Sequence, residues 1–179
     1  MRKFLIVIDM QNDFVTGSLG SENAQAIVPE IAKLIQDLKP TDELFFTRDT
    51  HYMDYPYTLE GQKLPVVHCV NGTYGHQIVR DLLGYRDASI IDKKTFGSTT
   101  LVERLSTYVS DVDEIHIVGV CTDICVISNA LALRMVKPNT KIVVHKDLCA
   151  GTSVESHDAA MTVMESCQID IVEGVGMYD

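Results

Sequence analysis

The sequence lacks long apolar runs and is poor in basic residues, and each shortage argues against a class of protein. No apolar segment approaches the roughly 20 residues that a membrane-spanning helix needs. The 15 lysines and arginines are outnumbered by 25 acidic residues, which gives a formal net charge of −10. A chain this acidic is poorly suited to nucleic acid or an anionic membrane. We therefore expect neither of these as a partner.

The number of cysteines is odd, which argues against a disulfide framework. There are five of them, at positions 69, 121, 125, 149 and 167. The opening "MRKFLIVIDM" places basic residues before an apolar run, as a signal peptide does. However, Asp9 ends that run, and no small-residue cleavage site follows it. We expect free thiols and a cytoplasmic protein.

Apolar runs typical of buried strands alternate with segments of helical period. The predicted strands are residues 3–9, 43–49, 88–94, 114–120, 141–147 and 169–174, and the predicted helices are 24–39, 76–83, 99–109, 122–136 and 154–167. This alternation predicts a three-layer α/β/α fold with a mostly parallel sheet of about six strands. We expect one domain over 1–179. Its irregular stretch 50–75 is long for a connection, and such loops are usually functional.

Polar residues follow several of the predicted strands at the point where each strand ends. These are Asp9, Asp49, Lys93 and the turn at 119–125. In open parallel sheets, binding sites collect at the carboxyl ends of the strands. The sequence therefore predicts a site at this edge of the sheet.

The turn "GVCTDICV" (119–126) contains two cysteines four positions apart. A zinc half-site could have this spacing, but no second Cys/His pair matches it, and a redox motif would have only two residues between the cysteines. A nucleophile fits better. Cys125 would lie in the first turn of a helix, where free N–H groups favour a thiolate and could hold an oxyanion. The residues alone leave open that both cysteines are inert core residues.

Three motifs together resemble the isochorismatase-like cysteine hydrolase superfamily, specifically its nicotinamidase/pyrazinamidase branch. They are "VIDMQNDFVTGSLG", "DKKTFGS" and "GVCTDICV", in the family's order and spacing. The resemblance implies a catalytic triad of Asp9, Lys93 and Cys125. Phe96 sets the lysine register, because the family lysine stands three residues before an aromatic residue. Lys94 would take this role if the register were shifted by one.

The same resemblance implies an oxyanion hole in the cysteine turn. The family has a non-proline cis peptide bond there, which corresponds to Val120–Cys121. The backbone N–H groups of Cys121 and Cys125 would then bind one oxyanion.

The loop after the second strand contains a possible metal-binding set. Asp49 and His51 form D-x-H and would point to the same side of a continuing strand, and Glu60 and His68 follow at loop spacing. Two imidazoles and two carboxylates suit Zn²⁺, Mn²⁺ or Fe²⁺, although such residues in a loop are also often solvated. The resemblance implies that all four are ligands, with zinc as the first choice. Residues 49–75 would then be a metal-binding insertion.

The resemblance implies that the protein converts nicotinamide to nicotinate and ammonia through a cysteine thioester, as in pyridine nucleotide salvage. The metal would hold the pyridine nitrogen, and Phe14, Leu19 and Tyr74 are candidates for the walls of the substrate pocket. Two departures from the family concern the ring pocket. The sequence has no tryptophan, which many nicotinamidases place beside the ring, and "TFGSTT" replaces the commoner aromatic-Ser-Ala-Phe.

Two other functions remain open from the sequence. One is hydrolysis of another small amide or carbamoyl substrate by the same triad. The other is a non-catalytic metal-binding module on the same fold, although an intact triad argues against it. Relatives are often oligomers, so a homo-oligomer is possible.

Overall fold

Six parallel strands form one sheet in the order β3-β2-β1-β4-β5-β6. A computed structural model describes residues 1–107, 112–174 and 176–178. The strands are β1 (Lys3–Ile8), β2 (Glu43–Asp49), β3 (Ser89–Lys93), β4 (Glu114–Val120), β5 (Lys141–Ala150) and β6 (Asp170–Val172). Every residue of β1 is buried, as expected of a central strand covered on both faces. The predicted parallel α/β sheet is confirmed.

The described helices follow the strands, and three of the six begin after a serine cap. They are α1 (Asn12–Val15), α2 (Glu22–Gln36), α3 (Leu59–Lys63), α4 (Thr99–Ser106), α5 (Ile127–Val136) and α6 (Val154–Ser166). The side chains of Ser21, Ser98 and Ser153 accept hydrogen bonds from backbone N–H groups in the first turns of α2, α4 and α6. Within the described ranges, no helix is both long and apolar enough to cross a bilayer.

Alternation along the central strand divides the core into two halves. Leu5 and Val7 pack on the side of the sheet covered by α2. Phe4, Ile6 and Ile8 pack on the opposite side, which is covered by α4, α5 and α6. Successive side chains of a strand point to opposite faces, so one uninterrupted apolar run supplies both cores. The result is the predicted three-layer arrangement.

The segment 76–83 is not the helix that its pattern predicts. Only Arg80–Leu82 form a 3₁₀ turn. Ile78 instead forms an antiparallel bridge with Gln11, and the N–H of Val79 donates to the carbonyl of Met10. Pairing with the segment after β1 therefore uses the backbone groups that a helix would need.

Other predicted elements differ at their ends or in detail. The helix predicted over 24–39 is α2, Glu22–Gln36, and the strand predicted over 169–174 is the shorter β6, Asp170–Val172. β5 continues to Ala150, three residues beyond the predicted strand, and the loop 50–75 contains the short helix α3. The last two residues of the predicted helix 99–109 lie outside the described residues.

β1 and β4 lie side by side at the centre of the sheet, where the chain reverses its direction of winding. It runs outward from β1 through β2 to β3, and then returns to β4 and continues outward through β5 to β6. The crevice at the carboxyl ends of these two strands is the expected position of a site. Gly119 of β4 makes the close approach possible. Its φ is +120°, and a Cβ atom there would lie 2.2 Å from the carbonyl oxygen of Ile8.

We predict that Gly119→Ala costs about 3 kcal/mol or more of unfolding free energy, because it adds a backbone clash to an unfavourable φ. Gly84→Ala is the matched control. Its φ is +88°, but nothing lies within 4 Å of the added Cβ. It should cost only about 1–2 kcal/mol. Urea denaturation measures both, and equal costs would show that the approach of β4 to β1 is not tight.

Candidate active site

Asp9 directly follows β1 and is held in a left-handed backbone conformation, with φ of +50°. Its side chain is fully buried. The Thr47 hydroxyl of β2 donates to its Oδ1 over 2.6 Å, and the N–H of Asp9 donates to the Thr47 carbonyl over 3.2 Å. The neighbouring strand therefore fixes the carboxylate. A left-handed aspartate with a buried charge is typical of functional sites.

Lys93 ends β3 and reaches across the sheet edge to Asp9. Its Nζ lies 2.6 Å from Asp9 Oδ2, with both side chains almost completely buried. The same nitrogen lies 3.6 Å from Cys125 Sγ. Lys94 points the other way and is exposed, with its Nζ 4.9 Å from the centroid of the Tyr52 ring. Of the two lysines, only Lys93 joins this cluster.

Cys125 lies in a turn of π-helix, Thr122–Val126, that leads directly into α5. The N–H groups of Ile124 and Val126 both donate to the carbonyl of Cys121 over 3.1 Å. The Val120–Cys121 peptide bond is cis, as the family resemblance implied. The structure thus brings Asp9, Lys93 and Cys125 together.

The cysteine turn is also held by hydrogen bonds from a residue that follows β5. The Asp123 carboxylate accepts hydrogen bonds from the N–H of Thr152 over 2.8 Å and from its hydroxyl over 2.5 Å. Thr152 follows β5, which is the neighbour of β4. The ends of two adjacent strands therefore hold the cysteine turn.

Burial dominates the electrostatics of the three side chains. It raises the pKa of the Cys125 thiol well above its usual value, and the nearby Asp9 charge raises it further. Burial also raises the pKa of Asp9, although Lys93 opposes this shift. For Lys93, the cost of burial is outweighed by the charges of its acidic neighbours, and its pKa rises. Burial and the neighbouring carboxylate therefore oppose the thiolate that the helix start would favour.

Four possible metal ligands converge beside Lys93. One ligand atom from each of Asp49, His51, Glu60 and His68 lies within 4.8 Å of the other three. His51 Nε2 is 2.8 Å from Asp49 Oδ2 and 3.6 Å from Glu60 Oε1. His68 Nε2 lies 3.4 Å from the same Asp49 oxygen. The helix α3 carries Glu60 into this group.

The surroundings of these four residues orient them for a cation. The Val66 carbonyl lies 2.7 Å from His68 Nδ1. With the proton on Nδ1, His68 Nε2 is free to bind a metal, which is the usual arrangement of a histidine ligand. The buried side chain of Gln11 accepts from the N–H of Asp49 and donates to its carbonyl. Two imidazoles and two carboxylates around one point fit a divalent metal ion.

A cavity of about 500 Å³ opens onto both groups. Cys121 and Cys125 line one side of it, and His68 lines another. Phe14 and Leu19 are in its wall, where the sequence placed them. A larger groove of about 1060 Å³ lies at the opposite edge of the sheet, but none of its lining residues is a cysteine or a histidine.

Tyr74 does not line this cavity, contrary to its predicted position. Its side chain is 72% exposed and borders a separate groove with Arg48 and Arg80. Its carbonyl accepts a hydrogen bond from the Asn12 amide, which turns the segment outward.

The cavity wall also contains residues that the sequence analysis did not assign to it. They include Leu64, Phe96, Ile124 and Thr152. Thr152 follows β5, but the predicted strand ended at residue 147, so the strand-end rule did not point to it. Phe96 served only to set the lysine register. Nothing in the sequence pattern indicated that Leu64 lines the cavity, because the fold of a long loop decides its position.

Together, the sheet order and the acid–lysine–cysteine cluster at the strand reversal have the layout of a cysteine hydrolase of the α/β class. The sequence model of the Isochorismatase domain matches residues 3–173. The chain therefore belongs to the isochorismatase family, and it falls in the nicotinamidase branch.

Three relatives represent this branch. The nicotinamidase of Schizosaccharomyces pombe is 30% identical, over 94% of this chain and 91% of that protein. The pyrazinamidase of Pyrococcus horikoshii, solved in complex with zinc, has a TM-score of 0.80 and 28% identity over 96% of this chain and 99% of that one. A Bacillus subtilis nicotinamidase/pyrazinamidase also has a TM-score of 0.80, with 27% identity over 97% of this chain and 100% of that one.

We predict that Lys93→Met costs about 3–5 kcal/mol of unfolding free energy at neutral pH, because it leaves the Asp9 carboxylate buried without a counter-charge. The exposed Lys94→Met control should cost no more than about 0.5 kcal/mol. Without the lysine, the folded pKa of Asp9 lies above its unfolded value, so the ionised carboxylate opposes folding. The cost should therefore shrink as the pH falls and Asp9 takes up a proton. Urea denaturation of metal-stripped protein from pH 7 to pH 5 tests this, and a pH-independent cost would contradict it.

Proposed function

We propose that this protein hydrolyses nicotinamide to nicotinate and ammonia, with Cys125 as the nucleophile. The observation that supports this most strongly is the shared position of two groups. Cys125 and the possible metal ligands Asp49, Glu60 and His68 line one cavity. Behind Cys125, Lys93 joins the two groups, since its Nζ lies 2.6 Å from Asp9 Oδ2 and 3.5 Å from Asp49 Oδ1. The activities of the relatives in the nicotinamidase branch agree with this proposal.

In the first step, Asp9 takes the proton of the Cys125 thiol as the sulfur attacks the carboxamide carbon. Because burial raises the pKa of the thiol, the nucleophile needs a base in direct reach to take its proton. The C–S bond forms, and negative charge moves to the amide oxygen. We assign the N–H groups of Cys121 and Cys125 to bind this oxygen. One such donor is worth roughly 3–4 kcal/mol in well-studied enzymes.

In the second step, the tetrahedral intermediate breaks its C–N bond. Asp9 returns the proton to the departing nitrogen, which leaves as ammonia, and a thioester on Cys125 remains. Asp9 then accepts a proton from a water molecule that attacks the thioester. The resulting second tetrahedral intermediate breaks its C–S bond, and Asp9 returns the proton to the departing sulfur, which restores the thiol. The acid product leaves as nicotinate after it gives its own proton to solvent. Throughout, Lys93 keeps a positive charge beside the carboxylate and the sulfur, which favours both anionic forms.

We assign Asp49, His51, Glu60 and His68 to hold zinc. A zinc ion supplies a Lewis acid that can bind a ring nitrogen or a water molecule. The donor types and the zinc complex of the Pyrococcus horikoshii pyrazinamidase support this choice. The apolar side chains of Phe14, Leu19 and Phe96 would contact the faces and edge of the pyridine ring.

We predict that purified protein releases ammonia from nicotinamide and that Cys125→Ala lowers the rate by about 10⁴-fold or more. Cys167→Ala is the matched control, because this cysteine is exposed and lies outside the cavity. It should keep the wild-type rate. Chelation should abolish release, and zinc should restore it. If wild type acts on another small amide but not on nicotinamide, the ring assignment is wrong. If it acts on no amide at all, the hydrolase proposal fails.

We predict about one zinc ion per chain by elemental analysis, a readout that is independent of activity. His68→Ala should weaken zinc binding by a factor on the order of 100, because it removes a ligand whose position is already fixed. His157→Ala is the control, since its ring contacts the Thr122 hydroxyl instead of the ligand group. Equal zinc contents in the two variants would contradict the assignment.

A further inference from the structure

Asn129 is a buried polar side chain that none of the steps above uses. It lies in the first turns of α5, has no exposed surface, and is four residues after Cys125. Its amide nitrogen donates to the carbonyl of Cys125 over 2.7 Å and to the carbonyl of Phe96 over 3.1 Å. Its amide oxygen accepts from the N–H of Ser98 over 2.9 Å. One side chain thus joins the cysteine turn to the loop after β3.

Two features of the loop between β3 and α4 require that its position be fixed. It begins next to Lys93, and it carries Phe96 into the cavity wall. It also lies close against α5, since a Cβ atom on Gly97 would be 3.7 Å from that of Ser128. The Phe96 side chain is about half exposed, so packing alone holds it weakly. The two hydrogen bonds from Asn129 to the backbone on either side of Gly97 are the stronger constraint.

We infer that Asn129 is a positioning residue that sets the distance between the Phe96 wall and the Cys125 nucleophile. We call its hydrogen bond to the Cys125 carbonyl the cysteine arm. We call its hydrogen bonds to the backbone of Phe96 and Ser98 the loop arm. The loop arm holds the wall against which the substrate ring lies, while the cysteine arm holds the sulfur at the carboxamide. This role rests on the proposed hydrolysis of nicotinamide, because it concerns how that substrate is aligned.

The two arms can be separated by substitution. A threonine hydroxyl in a helix can donate to the carbonyl four residues earlier. Ser128 already does this with the Ile124 carbonyl, over 2.6 Å. Asn129→Thr can therefore keep the cysteine arm but is too short to keep the loop arm. Asn129→Ala loses both.

The test compares steady-state kinetics of nicotinamide hydrolysis in zinc-loaded wild type and variants. For Asn129→Thr we expect KM to rise about tenfold, with kcat within about threefold of wild type. For Asn129→Ala we expect the same rise in KM and a further fall in kcat of about tenfold. Ser128→Ala is the control. It removes a helix hydrogen bond in the same turn without touching the loop bonds, and it should behave as wild type.

A double-mutant cycle with Phe96→Ala decides whether the loop arm acts through the wall. Phe96→Ala should raise KM, and adding Asn129→Thr should then raise it no further. If the two substitutions raised KM independently, so that their effects multiplied in the double variant, the inference would be overturned. A wild-type KM in Asn129→Thr would also overturn it. So would a fall in apparent kcat at unchanged KM that follows the melting temperature, because this pattern indicates general destabilisation.

This cycle also covers the case in which Asn129→Ala does not fold, because it needs only the threonine variant. An inactive wild type would overturn the proposed function itself. An active wild type with a failed cycle would overturn only the role of Asn129.

Discussion

The ion pair between Asp9 and Lys93 is the interaction on which the rest of the site depends. Burying either charge alone would cost several kcal/mol, whereas the pair, at 2.6 Å, satisfies both. Its members end β1 and β3, the two strands that flank β2. Thr47 and Asp49 of β2 lie beneath the pair and contact its two ends. The ion pair therefore fixes three strand ends relative to one another, and the cysteine turn packs against this fixed group.

Much of the fold and of the candidate site could be predicted from local sequence. The strands were visible because a parallel sheet covered on both faces needs uninterrupted apolar runs, such as Lys3–Ile8. Polar residues directly after such runs had to share one edge, and Asp9, Asp49 and Lys93 do so. The motif register selects Lys93 instead of Lys94. This choice agrees with the burial of Lys93 and the exposure of Lys94. The catalytic and ligand roles of these residues stay predictions.

What could not be predicted depends on contacts between distant segments. The segment 76–83 has a helical pattern, but the chain after β1 takes its backbone groups. Tyr74 was a candidate for the pocket wall, but it borders a separate groove, because the fold of its loop decides where it lies. A helix start favours a thiolate at Cys125, but burial beside a carboxylate raises the pKa of this thiol, and that burial could not be read from the sequence. Nothing in a single asparagine of a helix indicated that Asn129 joins two elements.

The central place of β1 has a consequence for how the protein is assembled. Of the six strands, this one comes first in sequence, and both of its neighbours, β2 and β4, come later in the chain. Parallel pairing of distant strands carries a large loop-closure entropy, so such sheets form slowly. Asp9 gains its counter-charge only from Lys93 of β3, and Cys125 joins them only through the turn after β4. No contiguous fragment that lacks either half of the chain holds the whole cluster, so the site is complete only when both halves have paired.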